Sequence, residues 1–237
     1  MEQLEELYQQ YLTDLQKKNF IERYVGKESR FNASSAGRCH KIHWWKYRET
    51  EQGDNDFKSM LRMRLGDLVH EDIQNAILRY SKVPVLTEYE TEIKRLNVGG
   101  YADIVILDGK EVEIYDIKTI AAYSYKRKFG RKENREPDPM DNYEYQLGTL
   151  GLGFQEQGFK IRKLGLIYYK KDDSTLKHIN VPLKYIKLAE EYWLDVLKLA
   201  KKDDEPEADG YPMPVRSWEC GYCPYSHVCD TPFKKEK

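Results

Sequence analysis

Three charged residues stand in segments that read as strands. Asp103 lies in GGYADIVI, and Asp116 and Lys118 lie in IYDIKT. Aspartate is disfavoured in strands, so two of them there ask for a reason. Asp116 and Lys118 are two apart and leave the same face of an extended chain. A hairpin centred near Gly109 and Lys110 sets residue 103 roughly opposite residue 116. Two carboxylates and one ammonium then share a small patch. Like charges that close are costly without a compensating cation. Carboxylate oxygens at that spacing suit a hard divalent ion, Mg²⁺ or Mn²⁺. The same residues also fit a plain ion pair between Asp103 and Lys118 across the strands, a common surface feature.

A second group lies near the end of the chain. ECGYCPYSHVC holds Cys220, Cys223 and Cys229, three of the four cysteines. Three thiols suit neither a pair of disulfides nor a tetrahedral metal site. The fourth, Cys39, lies in SSAGRCHKIHWWKYR, far upstream. The first residues, MEQLEELYQQ, are acidic and lack the apolar run of a secretory signal. A cytoplasmic location with reduced thiols is therefore expected, and metal ligation is favoured over disulfides. Three cysteines this close together, beside Pro and Gly, do not make a core pattern.

Several elements must position these groups. The chain has 237 residues, 40% of them hydrophobic, enough for one α/β core. No apolar run reaches the roughly 20 residues of a membrane span. Residues 2 to 18 and 59 to 80 read as helices, the second through Leu61, Leu65, Leu68, Val69, Ile73, Ala76 and Ile77. TEYETEIKRL, GGYADIVIL and EVEIYDIKTI follow as three consecutive antiparallel strands. Residues 141 to 157 read as a helix despite three glycines. LGLIYYK and LKHINVPL read as strands, and residues 185 to 200 as a helix. The expected fold is α/β, a mixed central sheet flanked by helices, in one domain spanning residues 1–237.

Two more residues complete an ordered pattern. GDLVHEDIQ puts His70 on the long helix, four residues after Gly66, and EYQLGTL puts Gln146 near the start of a later helix. A lone helical histidine is more often a packed residue than a ligand. The whole series is more specific: G-x-x-x-H on a helix, G-x-x-D on a strand, D-x-K on the next strand, then a glutamine on a helix.

In this order, over roughly residues 60 to 150, the sequence resembles the RecB-like branch of the PD-(D/E)XK nucleases. The resemblance implies a restriction-endonuclease-like core at about residues 59–200. It implies that His70, Asp103, Asp116 and the backbone carbonyl of Ile117 hold the catalytic metal. Lys118 would then orient the attacking water or stabilise charge on phosphate, and Gln146 would support the lysine and the DNA backbone. One position departs from the family pattern. The tyrosine usual four residues after the glutamine is Leu150 here.

The cysteine spacing extends the resemblance over nearly the whole chain. An iron–sulfur subgroup, which includes the CRISPR-associated RecB-like exonucleases, carries one cysteine before the core and three after it. It implies that Cys39, Cys220, Cys223 and Cys229 hold a 4Fe–4S cluster, clasping the Cys39 segment to residues 211–229. Four thiolates can equally hold structural Zn²⁺, with His40, His43 and His227 as further candidate ligands. Either metal would close a long loop.

The substrate implied is DNA, as single strands or ends, in recombination, repair or CRISPR adaptation. There is no helicase motif, so a helicase, recombinase or CRISPR adaptation partner would be a separate chain. Net charge is −1, so no global basic field points to nucleic acid. Residues 121 to 135 are locally basic: Lys126, Arg127, Lys128, Arg131, Lys132 and Arg135 against Glu133 alone. Read as a loop directly after Lys118, the stretch could contact phosphates, with Tyr123 and Tyr125 stacking on unpaired bases. Trp44, Trp45, Lys46, Tyr47 and Arg48 could do the same or pack around the metal. A rival reading keeps the fold as a DNA-binding or partner-docking module with little activity.

Overall fold

The computed structural model describes residues 2–24, 29–134, 142–206 and 217–230. Helix α1 spans Glu2–Tyr24. Strand β1, Phe31–Asn32, and helix α2, His40–Tyr47, follow. Helix α3 spans Phe57–Tyr80 and begins at a proper cap, where the Asp56 side chain accepts from the Ser59 amide at 2.6 Å. Strands β2, Val85–Ile93, β3, Val98–Asp108, and β4, Glu111–Ile120, come next. Helices α4, Ala122–Phe129, and α5, Asn142–Glu156, precede β5, Lys160–Lys170, and β6, Leu176–Val181. Helix α6 is Lys184–Ala200 and the short α7 is Ser217–Cys220.

The six strands form one mixed sheet. β3 pairs antiparallel with β2 on one edge and with β4 on the other. β4 pairs parallel with β5, and β5 antiparallel with β6. The three strands expected to be consecutive and antiparallel are so. The hairpin between β3 and β4 turns at Gly109, whose φ of +61° suits a tight two-residue connection. Its register runs from Asp108 opposite Glu111 to Ile104 opposite Tyr115.

There the ladder stops. β4 continues against β5 to Ile120, while the far half of β3 pairs with the short parallel β1 at Val98 and Gly99. The two strands fork immediately after Ile104 and Tyr115, and the next residues on each side are Asp103 and Asp116. A fork leaves backbone groups without ladder partners and opens a space that side chains must fill.

The two faces of β2 show the layering. The Thr91 hydroxyl meets Gly153 of α5, whereas Glu88, Glu90 and Glu92 face a cavity lined also by α1 and α3. α5 is the most buried helix, and its Leu147, Leu150 and Phe154 are sealed in the core. α6 packs over it through Ala189, Trp193 and Val196, and the Trp193 indole donates to the Thr149 hydroxyl at 2.8 Å. The segment before Cys39 is buried as well. Ala33 sits so near β3 that a Cβ on Gly100 would come within 2.6 Å of its methyl. The glycine of G-x-x-D is thus a packing requirement. Among the described residues, no helix is long and apolar enough to cross a membrane.

One feature differs from the sequence reading. The basic stretch read as a loop begins as helix α4, whose Lys126, Arg127 and Lys128 fall in its last turn, where cations complement the helix dipole. Arg135, Pro137 and Pro139 lie outside the described residues. The aromatics of α2 are packing groups. Trp44 donates to the Lys202 carbonyl at 3.0 Å and lies under the Arg48 guanidinium, which donates to the Ala200 carbonyl at 3.0 Å.

Candidate active site

The fork gathers the residues singled out by type. Asp103, Asp116, Lys118, Gln146 and His70 all line one cavity of about 1310 Å³. Where the ladder ends, a side chain replaces it: the Asp103 carboxylate accepts from the Ile117 amide at 2.6 Å. Asp103 thereby acquires a fixed position from the backbone of the neighbouring strand.

Asp116 and Lys118 share a face as their spacing requires. Lys118 Nζ lies 2.7 Å from Asp116 Oδ2 and donates to Gln146 Oε1 at 3.0 Å. The Gln146 amide in turn donates to Asp116 Oδ1 at 2.8 Å. One glutamine therefore orients both members of the D-x-K pair. The lysine pairs with Asp116, so the simple cross-strand ion pair with Asp103 does not describe the site. On α3, His70 Nδ1 lies 3.5 Å from Asp103 Oδ2.

The electrostatics follow from burial. Burial, then the negative charge of Asp116, push the Asp103 carboxyl well above the usual carboxylate range. Burial lowers His70 below its ordinary value, despite the pull of the Asp116 charge, so the ring is neutral near pH 7 and its lone pair is available. Burial also works to lower Lys118, but the charges of Asp116 and Asp103 outweigh it and the ammonium is held protonated. Asp116 is almost wholly buried. Its Oδ2 faces the Lys118 ammonium at 2.7 Å.

The structure adds residues that the sequence reading missed. Gln74, one turn after His70, donates to the Asp103 carbonyl at 3.0 Å and to Glu88 Oε1 at 2.8 Å. Glu88 stands beside Asp103 on the adjacent strand with a left-handed φ of +49°, which costs about 1–3 kcal/mol in a non-glycine residue. Strain of that kind collects at functional sites. A glutamate alternating with Glu90 and Glu92 along a strand next to Asp103 was the available signal.

The basic segment divides. Lys128 lies 3.4 Å from Glu144 and over the Tyr168 ring, so it holds α4 to the body of the protein. Tyr125 packs on Phe129, while Tyr123 is 74% exposed. Arg131 and Lys132 are exposed.

The cysteine end is organised differently. The Gly53 amide donates to the Pro224 carbonyl at 2.8 Å, and Gln52 donates to the Tyr225 hydroxyl at 3.2 Å. The last described segment thus packs on the chain that follows α2. The Lys41 ammonium, paired with Glu205 at 2.7 Å, feels the charges of both Cys39 and Cys229. Cys223 feels Cys220 and Cys229, and burial raises its thiol. The four thiols form no disulfide. Among the described residues, no three ligating side chains converge on a point close enough to hold an ion. His40 and His43 are buried against Tyr192, and His227 is exposed near Gly53.

A sequence model of the PD-(D/E)XK nuclease superfamily matches residues 2–230. The chain belongs to that superfamily. Its two carboxylates and lysine stand in the D-x-K arrangement from which the superfamily takes its name. No curated protein matches this nuclease-family chain in sequence. Among solved structures it overlays on the crystal structure of SSO0001 with a TM-score of 0.57 and 19% identity, covering 94% of this chain and 96% of that one. That likeness shows the shared fold. An alkaline exonuclease from Laribacter hongkongensis matches with a TM-score of 0.48 and 14% identity, over 75% of this chain and 91% of that one.

Proposed function

We propose that the protein is a Mg²⁺- or Mn²⁺-dependent deoxyribonuclease, an exonuclease acting on single-stranded DNA or DNA ends. The observation that supports this best is the fork itself. It holds two buried carboxylates of adjacent strands beside one protonated lysine, at the wall of an open cavity.

The donor set fits a hard divalent ion. His70, Asp103, Asp116 and the Ile117 carbonyl would hold it, and Glu88 adds a third carboxylate at the same cavity. A bound ion would supply the acidity that turns water into a nucleophile at neutral pH and would offset charge on the phosphate. The remaining work falls to side chains. Lys118 presents a fixed positive charge where the phosphate oxygens gain negative charge. Gln146 keeps Lys118 and Asp116 in register through one amide group. Neutral His70 offers a lone pair without bringing a competing charge. Lys126, Arg127, Arg131 and Lys132 would bind phosphates on the approach to the site.

The four thiols would hold a metal clasp, with a 4Fe–4S cluster the reading taken from the iron–sulfur RecB-like subgroup and Zn²⁺ the alternative. The Cys223 thiol, its pKa raised by burial, would be deprotonated by metal binding, so the clasp would form cooperatively with folding. One observation favours a second reading, a DNA-binding module of low activity. Leu150 is fully buried in the core, so position 150 places no tyrosine at the site.

The deciding experiment is cleavage of end-labelled single-stranded DNA by protein purified without oxygen, with Mn²⁺, Mg²⁺ or EDTA. Metal-dependent cleavage is expected, with loss in Lys118→Ala. A folded wild type that binds DNA and leaves it intact under every condition establishes the binding-module reading instead. The visible spectrum of the same sample separates a cluster from zinc.

A further inference from the structure

Lys118 has a third neighbour besides Asp116 and Gln146. Its ammonium lies 4.8 Å from the centroid of the Tyr143 ring. Tyr143 and Gln146 are three apart on α5, so both emerge on the helix face that looks at the lysine. The next turns point elsewhere. Tyr145 packs edge-on against Tyr185 and Tyr192. Leu150 faces β3, with a methyl 3.3 Å from where a Cβ on Gly100 would stand.

We infer that Tyr143 is a positioning residue for Lys118, holding its ammonium against the face of the ring on α5. This rests on the nuclease reading given above. A carboxylate and an amide oxygen hold the ammonium from two directions, and both belong to residues that must also serve Asp116. The ring face supplies a third hold by the attraction of a cation for the aromatic quadrupole. It does so without accepting a proton and without neutralising the charge that the phosphate needs. The contact is with the ring, so the phenol hydroxyl is dispensable.

The test compares Tyr143→Phe, Tyr143→Leu and Tyr143→Met with wild type and Lys118→Ala, reading kcat and KM on single-stranded DNA with Mn²⁺. Phe is expected to keep wild-type kcat. Leu and Met are expected to lose about tenfold in kcat with KM unchanged. Met matters because a volume-filling apolar chain preserves packing should Leu fail to fold. A second readout needs no catalysis: labelling of Lys118 by acetic anhydride, followed by mass spectrometry on the metal-free protein. It should speed up several-fold in the Leu and Met variants and stay unchanged in Phe. Wild-type kcat in Leu or Met, or a loss in Phe equal to theirs, overturns the inference while the nuclease reading stands. If the wild type cleaves nothing, the nuclease reading fails first. The labelling rates then decide alone whether the ring holds the ammonium: unchanged rates in Leu and Met reject it.

Discussion

The strand fork and the cysteine end are both candidate metal sites, and they are built in opposite ways. At the fork the ligand candidates sit on regular elements, and both aspartates are held by bonds of the fold. Asp103 is fixed by the Ile117 amide, Asp116 by Gln146, and the Asp103 carbonyl by Gln74. At the cysteine end the candidate ligands sit on a cap residue, a one-turn helix and turns. The fork's two aspartates are held in place by the chain. The cysteine end is a set of short elements that a metal would have to organise. Ligands on rigid elements give geometry that persists without the ion, whereas ligands on loops exchange binding energy for folding energy.

That contrast predicts where each site breaks. Asp116→Ala removes a candidate ligand but leaves Lys118 the Gln146 oxygen and the charge of Asp103, so the fold should survive. Cleavage should drop by roughly a thousandfold, since a metal ligand contributes several kcal/mol of transition-state stabilisation. DNA binding and the melting curve should stay near wild type. Cleavage persisting in Asp116→Ala at more than a tenth of the wild-type rate would remove Asp116 from the metal set. Cys223→Ser should do the reverse. It should lose the visible chromophore or the zinc, and lower the melting temperature by roughly 10 °C, because a clasp metal's binding energy would there be folding energy. A Cys223→Ser protein that melts with the wild type would mean that no clasp closes.

The same contrast explains what the sequence made legible. Alternation along β4 put Asp116 and Lys118 on one face, and the Gly109 turn fixed the register that brings Asp103 level with them. Both are consequences of a period of two, which a sequence displays openly. The fork itself was not legible. Its position depends on β1, two residues long, taking the edge of β3 that β4 abandons. Glu88 was missed because its left-handed backbone is imposed by tertiary packing. α4 was missed because its eight residues are mostly polar and cationic and none of them is buried. At the cysteine end the spacing named the residue types, but turns carry no period from which an orientation could be read.

Gly148→Ala sharpens the comparison at smaller scale. In an isolated helix alanine is favoured over glycine by about 1 kcal/mol. Here a Cβ at position 148 would lie 2.1 Å from the Tyr185 carbonyl oxygen of α6, so the helices must part. A net loss of about 2 kcal/mol is expected, lowering the melting temperature by roughly 4–8 °C. Gln146 lies two residues earlier on the same helix, so kcat should fall as well, while the metal content of the cysteine end stays constant. A gain in stability would show that α5 and α6 are not in the close contact described.

The smallest expected effect separates a titration of the packed interior near the cysteine end from one at the fork. His43 is fully enclosed, with Nε2 2.6 Å from the Tyr192 hydroxyl. Burial, then the neighbouring charge of His40, push its pKa well below the ordinary 6.5. The folded protein therefore keeps His43 neutral while the unfolded chain takes up a proton near pH 6.5. Below that pH the unfolded state binds more protons, and stability falls as the solution is acidified. Asp103 acts in the opposite sense, because its raised pKa makes the folded state the better proton binder at low pH. The raw profile mixes the two, but the difference between wild type and His43→Gln isolates one. Between pH 7.5 and 5.5 the wild type should lose up to about 1.4 kcal/mol relative to the variant, measured by urea unfolding at each pH. Parallel profiles would mean that His43 is protonated in the fold, and that the interior around Tyr192 is more polar than its packing implies.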